Sequence, residues 1–131
     1  MTAAIWRRLT TAVLVVYWVA LAVGTHLPRA PIIPFQQGDK LMHAAAYAVL
    51  AMLAGVCWSA WRGPLCRREL TLLVTVLAIY AALDELTQIP VGRDGDWRDW
   101  LADVFGVTCG IAALLLLQLM RNRRTKSVPP A

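Results

Sequence analysis

The apolar and polar positions of this chain fall into long apolar blocks separated by short polar breaks. Each of four blocks is close to the roughly 20 residues that an α-helix needs to cross about 30 Å of hydrocarbon. Because a backbone in lipid must satisfy its N–H and C=O groups within its own segment, we expect these blocks to be helices. The pattern therefore predicts an all-α integral membrane bundle with short loops, as a single domain over residues 1–131. The four predicted transmembrane helices are Leu9–Leu27, Leu41–Trp61, Leu70–Ile89 and Trp100–Met120.

Composition agrees with this interpretation. Apolar residues make up 59% of the chain and charged residues only 16%, whereas a soluble domain carries about 25% charged residues. Pro28, Gly63-Pro64 and Pro90 fall in the breaks, as expected at helix ends. The first block follows Arg7-Arg8 and could instead be a signal peptide, but its apolar run is long and its small-residue cleavage pattern is poor.

The basic residues are distributed unequally between alternate loops. Nine of the thirteen Lys and Arg lie at the N-terminus, after the second block or in the C-terminal tail. The other four are Arg29, Lys40, Arg93 and Arg98. The positive-inside rule then places both termini in the cytoplasm, in a multi-pass protein of the cell membrane. Since topology explains the basic residues, the net charge of +5 does not indicate a nucleic-acid partner, and we expect the bilayer to be the main partner.

The acidic residues are the most informative polar positions. Seven of the eight fall at the predicted outer face, and only Glu69 does not. Solvation in a loop accounts for Asp94 and Asp96. It does not account for Asp84 and Glu85, which interrupt an apolar helix, where a charge costs a few kcal/mol or more unless it faces a bundle interior or a wet cavity.

Helical spacing indicates that these groups can meet. Asp39 and His43 are four residues apart, as are Asp84 and Gln88, so each pair shares a helix face. On the fourth helix a single stripe changes from acidic residues to glycines, which let a neighbouring helix come close. The stripe consists of Asp96, Asp99, Asp103, Gly106 and Gly110. We therefore expect one outward-opening pocket, with Lys40 and Asp99 at its rim.

These residues, in this order and spacing, resemble the VanZ-like membrane proteins. The resemblance covers residues 39–110 and is carried by Asp39-Lys40-x-x-His43-x-x-x-Tyr47, Asp84-Glu85-x-x-Gln88, Arg93 and the stripe just described. It implies a small protein of the bacterial envelope and inner membrane, in a family whose founding member is linked to antibiotic resistance, namely to teicoplanin. The family most often has asparagine at the position of Asp103, which favours a hydrogen-bonding role there.

Three functional classes follow from the cluster. In an enzyme acting on a lipid-linked or phosphorylated envelope substrate or a glycan, the catalytic candidates are His43, Asp84 and Glu85. The ligand-binding candidates are Asp39, Lys40, Gln88, Arg93, Asp96, Asp99 and Asp103. In that case Lys40 and Arg93 would hold phosphate or sulfate, although both also suit interfacial anchoring, and the carboxylates could hold a divalent cation.

The second class is a non-catalytic binder of an envelope ligand or a partner membrane protein. The third is an ion or proton pathway, which the scarcity of ionisable groups in the cytoplasmic halves of the helices disfavours.

The charge distribution makes a direct prediction about topology. Reporter domains fused after residues 65 and 125 should report the cytoplasm, and a reporter fused after residue 95 should report the outside. A cytoplasmic signal at residue 95 would contradict the charge argument and the outward-facing pocket with it.

Overall fold

A computed structural model describes residues 1–27, 36–91 and 96–126. These ranges contain four helices and no strand: α1 (Ala3–His26), α2 (Gln36–Arg62), α3 (Arg67–Gln88) and α4 (Trp97–Lys126). A short 3-10 turn, Ile89–Val91, follows α3. All four helices are long and apolar enough to cross a membrane, so the predicted all-α membrane bundle is confirmed.

Each helix begins three to six residues before the predicted position. The reason is that the predicted boundaries follow the apolar blocks, which mark only the part of a helix that lipid can cover. The polar first turn that precedes each block is also helical. The largest consequence is at α2, where Asp39 lies inside the first turn rather than at the boundary before Leu41. Asp39 is therefore carried by a helix, at a fixed distance and angle from His43.

Local interactions explain where several helices begin and end. Thr2 caps α1 by accepting a hydrogen bond from the backbone of Ile5, and the Glu69 side chain accepts one from Cys66 N at the start of α3. After α2, Gly63 adopts a φ of 91°, which favours glycine. Asp96 precedes α4 and accepts a hydrogen bond from Arg98 N, which is the geometry of an N-cap.

The helices run alternately up and down, which gathers the polar groups at one end of the bundle. The start of α1 meets the end of α2, where Arg7 Nε donates to Ala60 O. At the opposite end, His26 contacts Thr87 and Lys40 contacts Asp99. We call this opposite end the acidic end; it contains Asp39, Asp84, Glu85, Asp96, Asp99 and Asp103.

The closest helix packing is between α2 and α4. A Cβ placed on Gly106 would collide with the backbone carbonyl oxygen of Ala44, and one placed on Gly110 would collide with that of Ala48. Small residues four apart therefore face each other on both helices, and the two backbones touch. The predicted stripe of α4 thus faces the bundle interior.

The apolar core lies mainly between α2, α3 and α4, and α1 is peripheral. The buried core residues are Tyr47, Leu50, Ala51, Leu73, Leu77, Ala81, Val107 and Ile111. Throughout α1, which is fully described, the buried residues are Thr10 and Thr25. Leu14, Tyr17 and Leu21 of α1 pack against the core while remaining partly exposed, so α1 covers the core along one side only.

The α2–α4 contact predicts the effect of adding a single methyl group. Gly106→Ala should destabilise the protein by about 1–3 kcal/mol, because the added carbon overpacks a helix interface. Gly24→Ala is the matched control, since its Cβ would meet nothing within 4 Å and alanine is the better helix former. Unfolding in mixed micelles measures both. Equal stability of Gly106→Ala and wild type would mean that α2 and α4 do not touch here.

Candidate functional site

The centre of the acidic end is a buried contact between three helices through His43, Glu85 and Asp103. The His43 Nδ1 atom on α2 lies 3.0 Å from Asp103 Oδ1 on α4, and Nδ1 donates when Asp103 is ionised. Glu85 Oε1 on α3 lies 3.8 Å from the same nitrogen. The exposed fraction of these residues is 7% for His43, 7% for Glu85 and 0% for Asp103.

Two oxygen atoms of this cluster have no hydrogen-bond partner among the described residues. They are Glu85 Oε1 and Asp103 Oδ2. The Tyr47 hydroxyl is buried as well, near the Asp84 carboxylate. Because a buried polar atom without a partner is costly, these positions indicate a site built to contact something further.

A second group surrounds Lys40, closer to the surface of the acidic end. The Lys40 Nζ atom lies 2.6 Å from Asp99 Oδ1 and 3.2 Å from Asp96 Oδ2. The backbone N–H of Arg98 lowers the pKa of the Asp96 carboxyl below its ordinary value, and the hydrogen bond from Lys40 acts in the same direction. Asp96 N also donates to Glu85 Oε2 at 3.3 Å, which links this group to the buried cluster.

A third group is centred on Asp84, which is 3% exposed. Thr25 of α1 donates to Asp84 Oδ1 at 3.1 Å, and Gln88, one turn along α3, donates to Oδ2 at 3.2 Å. His26 Nδ1 lies 3.8 Å from Oδ1. Asp84 thus holds α1 against α3, which gives it a structural role beside any catalytic one.

A cavity of about 240 Å³ lies between α1 and α2 beside the cluster. Its polar lining comes from Thr25, Asp39, His43 and Tyr47. Its apolar lining includes Leu21 and Met42, and Met42 is 72% exposed, so the cavity borders the outer surface of the bundle. His43 therefore contacts the carboxylates of α3 and α4 and also forms part of the cavity wall.

The predicted site residues converge at one end, with two changes in position. Asp99 was expected at the rim but is 5% exposed, and its carboxylate pairs with the Lys40 ammonium at 2.6 Å. Asp96 was attributed to loop solvation but caps α4 and pairs with Lys40. Asp39 comes near His43 and Asp99, with one ligand atom from each within 4.8 Å of the others. Arg93 and Asp94 lie outside the described residues.

Two residues were not singled out for this role from the sequence. Thr25 binds Asp84, and a signal was present, since it is a polar residue near the end of an apolar helix at the depth of the acids. Tyr47 belongs to the motif that carries the VanZ resemblance but was not named as a site residue, and its buried hydroxyl lies near the Asp84 carboxylate. A tyrosine one turn below His43 on the same helix face suits either aromatic packing or a polar role in the site. The positions of the neighbouring helices decide between the two.

Comparison with known proteins identifies the family. The family model described as VanZ/LLP1 matches residues 3–118. The chain belongs to the VanZ/LLP1 family. The comparisons with curated proteins and with solved structures found no significant match. This VanZ/LLP1 protein is accordingly a multi-pass membrane protein, and its family match extends over all four helices that carry the clusters.

The two ion pairs of Lys40 differ in burial, and this difference predicts different coupling energies. The side chain of Asp99 is 7% exposed and that of Asp96 is 36% exposed. Double-mutant cycles with Lys40→Met should give a coupling energy of about 0.5–3 kcal/mol with Asp99→Asn. With Asp96→Asn, the matched control, coupling should be small because solvent screens that pair. Equal coupling energies in micelle unfolding experiments would contradict this arrangement.

Proposed function

We propose that this VanZ/LLP1 protein binds an envelope lipid or lipid-linked glycan in the cavity between α1 and α2. The acidic end then faces outward, as the excess of Lys and Arg in the alternate loops predicts. One observation carries the proposal: a buried histidine bonded to a buried aspartate also lines a cavity at the bundle surface. Convergent polar groups in a mostly apolar pocket are typical of a ligand site.

The cavity and its position favour a lipid-borne ligand. It lies beside α1, the peripheral helix, and its lining is mainly apolar, so an acyl or polyprenyl chain can reach it from the bilayer. Its volume is below the roughly 300–1,000 Å³ of typical small-molecule pockets. We therefore expect it to hold one part of the ligand, such as a sugar ring or a chain segment.

The charges favour a ligand that donates hydrogen bonds. Lys40, which was expected to hold phosphate, is already engaged by Asp96 and Asp99. The cavity wall presents Asp39, the His43 imidazole and two hydroxyl groups. Hydroxyls of a glycan can donate to a carboxylate, whereas a phosphate placed there would be repelled.

Catalysis is the second candidate, and the His43–Asp103 contact favours it. A carboxylate that holds one imidazole nitrogen orients the ring and supports the other nitrogen as a proton acceptor. A hydroxyl of the bound ligand would be the group that loses its proton. Glu85 and Asp84 remain the other catalytic candidates.

The cavity can be tested by filling it. The Cβ of Gly24 would meet nothing within 4 Å, and Gly24 lines the cavity, so Gly24→Leu should occupy it without displacing backbone. Native mass spectrometry of protein purified from bacterial membranes should then show at least about tenfold less bound lipid or glycan. Val23→Leu is the matched control, because Val23 is 53% exposed. Equal ligand occupancy in Gly24→Leu and wild type would place the ligand elsewhere.

His43→Asn separates catalysis from simple binding. The asparagine amide can still donate to Asp103, but it has no atom in the place of His43 Nε2. A catalytic His43 predicts that this variant retains the ligand, unmodified, and loses the envelope phenotype at a normal membrane level. If His43→Asn binds the ligand and keeps the envelope phenotype, His43 is not catalytic and the function is ligand recognition.

A further inference from the structure

We propose that His43, Glu85 and Asp103 bind one divalent transition-metal cation, for which Zn²⁺ is the best match. One ligand atom from each residue lies within 4.8 Å of the other two, and all three residues are buried. The inference rests on the proposed function, because His43 also lines the proposed ligand pocket. It adds a metal ion bound to one residue of the pocket wall, His43.

The unpartnered oxygens are the independent observation. Glu85 Oε1 faces His43 Nδ1 at 3.8 Å, too far for a hydrogen bond, and has no other partner in the described ranges. Ligand atoms about 2.0–2.2 Å from one metal ion lie roughly 3.0–4.4 Å apart. The distances of 3.0 Å and 3.8 Å from His43 Nδ1 to Asp103 and Glu85 fall in this interval. A cation between them would satisfy the Glu85 oxygen.

Charge leads to the same conclusion. Among the residues that the structure describes, no Lys or Arg forms an ion pair with Glu85 or Asp103. A protonated His43 would offset at most one of these two negative charges, and a buried carboxylate that is left without a compensating charge is strongly unfavourable in a low-dielectric bundle. One divalent cation bound by a neutral imidazole and two carboxylates makes the site electrically neutral.

A neighbouring set of potential ligands is less suitable. Asp39, His43 and Asp99 also have ligand atoms within 4.8 Å of one another. However, Asp99 Oδ1 is 2.6 Å from the Lys40 ammonium, which repels a metal ion and occupies that oxygen. In the described part of the chain, no Lys or Arg competes in this way for the buried set.

The ligand types select the metal. Ca²⁺ takes six to eight oxygen ligands and Mg²⁺ an octahedral shell rich in water, whereas imidazole with carboxylates suits Zn²⁺. Three protein ligands leave a coordination position for a water molecule. The metal on Nδ1 replaces the hydrogen bond to Asp103, so His43 is then a metal ligand and not a proton acceptor.

Direct zinc binding tests the inference on the full chain. The protein, purified in detergent with a tag free of histidine, is stripped with EDTA, incubated with ZnCl₂ and desalted. Elemental mass spectrometry should find about one zinc per chain. Competition with a fluorescent chelator should show that Glu85→Gln weakens the affinity at least about tenfold. Asp96→Asn and Asp99→Asn, the matched acidic controls, should bind zinc as wild type does.

Three results would overturn the inference: far less than one zinc in wild type, unchanged affinity in Glu85→Gln, or loss of zinc in Asp99→Asn. Co²⁺ provides a test on wild type alone, should Glu85→Gln fail to fold. Visible absorption bands of a low-coordinate site, removed by Zn²⁺, support the inference, and their absence contradicts it. Gly24→Leu should keep zinc while losing the pocket ligand, so a failure of the metal site is distinguishable from a failure of the pocket.

Discussion

The burial of carboxylates inside an apolar bundle is the constraint on which this structure depends. Asp84, Glu85, Asp99 and Asp103 are all at most 7% exposed, although each sits on a helix that can cross a membrane. An isolated charge at such a position costs several kcal/mol. The helices must therefore supply partners for one another, and they do so at a single end. The convergence of α2, α3 and α4 there is a consequence of this requirement.

Close packing of α2 and α4 makes the convergence possible. Ala44 touches Gly106, and the residue before Ala44 is His43, while Asp103 lies one turn before Gly106. The absence of a side chain at Gly106 lets the two backbones meet, and this brings the imidazole within 3.0 Å of the carboxylate. A small residue in the packing stripe thus determines the geometry of the polar site above it. Peripheral α1 completes the cavity on the other side of His43.

Much of this could be predicted from the sequence because lipid imposes strong rules. Block length gave the helices, and the spacing of Asp99, Asp103, Gly106 and Gly110 indicated an inward-facing stripe. The VanZ resemblance is confirmed by the family match, while the orientation of the termini stays a prediction. The ion-pair partners of Lys40 could not be predicted, because seven acids were expected at the same end of the bundle. The choice of Asp96 and Asp99 depends on how each helix is rotated about its own axis. The role of Thr25 likewise depends on the side on which α1 packs.

The central claim is that His43 is bonded to Asp103 next to Glu85. The chain has two histidines, so ¹⁵N NMR of ring-labelled, metal-stripped protein resolves His43 once a His26→Asn variant assigns the signals. Asp103→Asn and Glu85→Gln should each shift the ring-nitrogen resonances of His43 and leave those of His26 in place, while Asp96→Asn should change neither histidine to a comparable extent. Unchanged His43 resonances in Asp103→Asn would contradict the claim, because a nitrogen bonded to that carboxylate cannot be indifferent to its replacement.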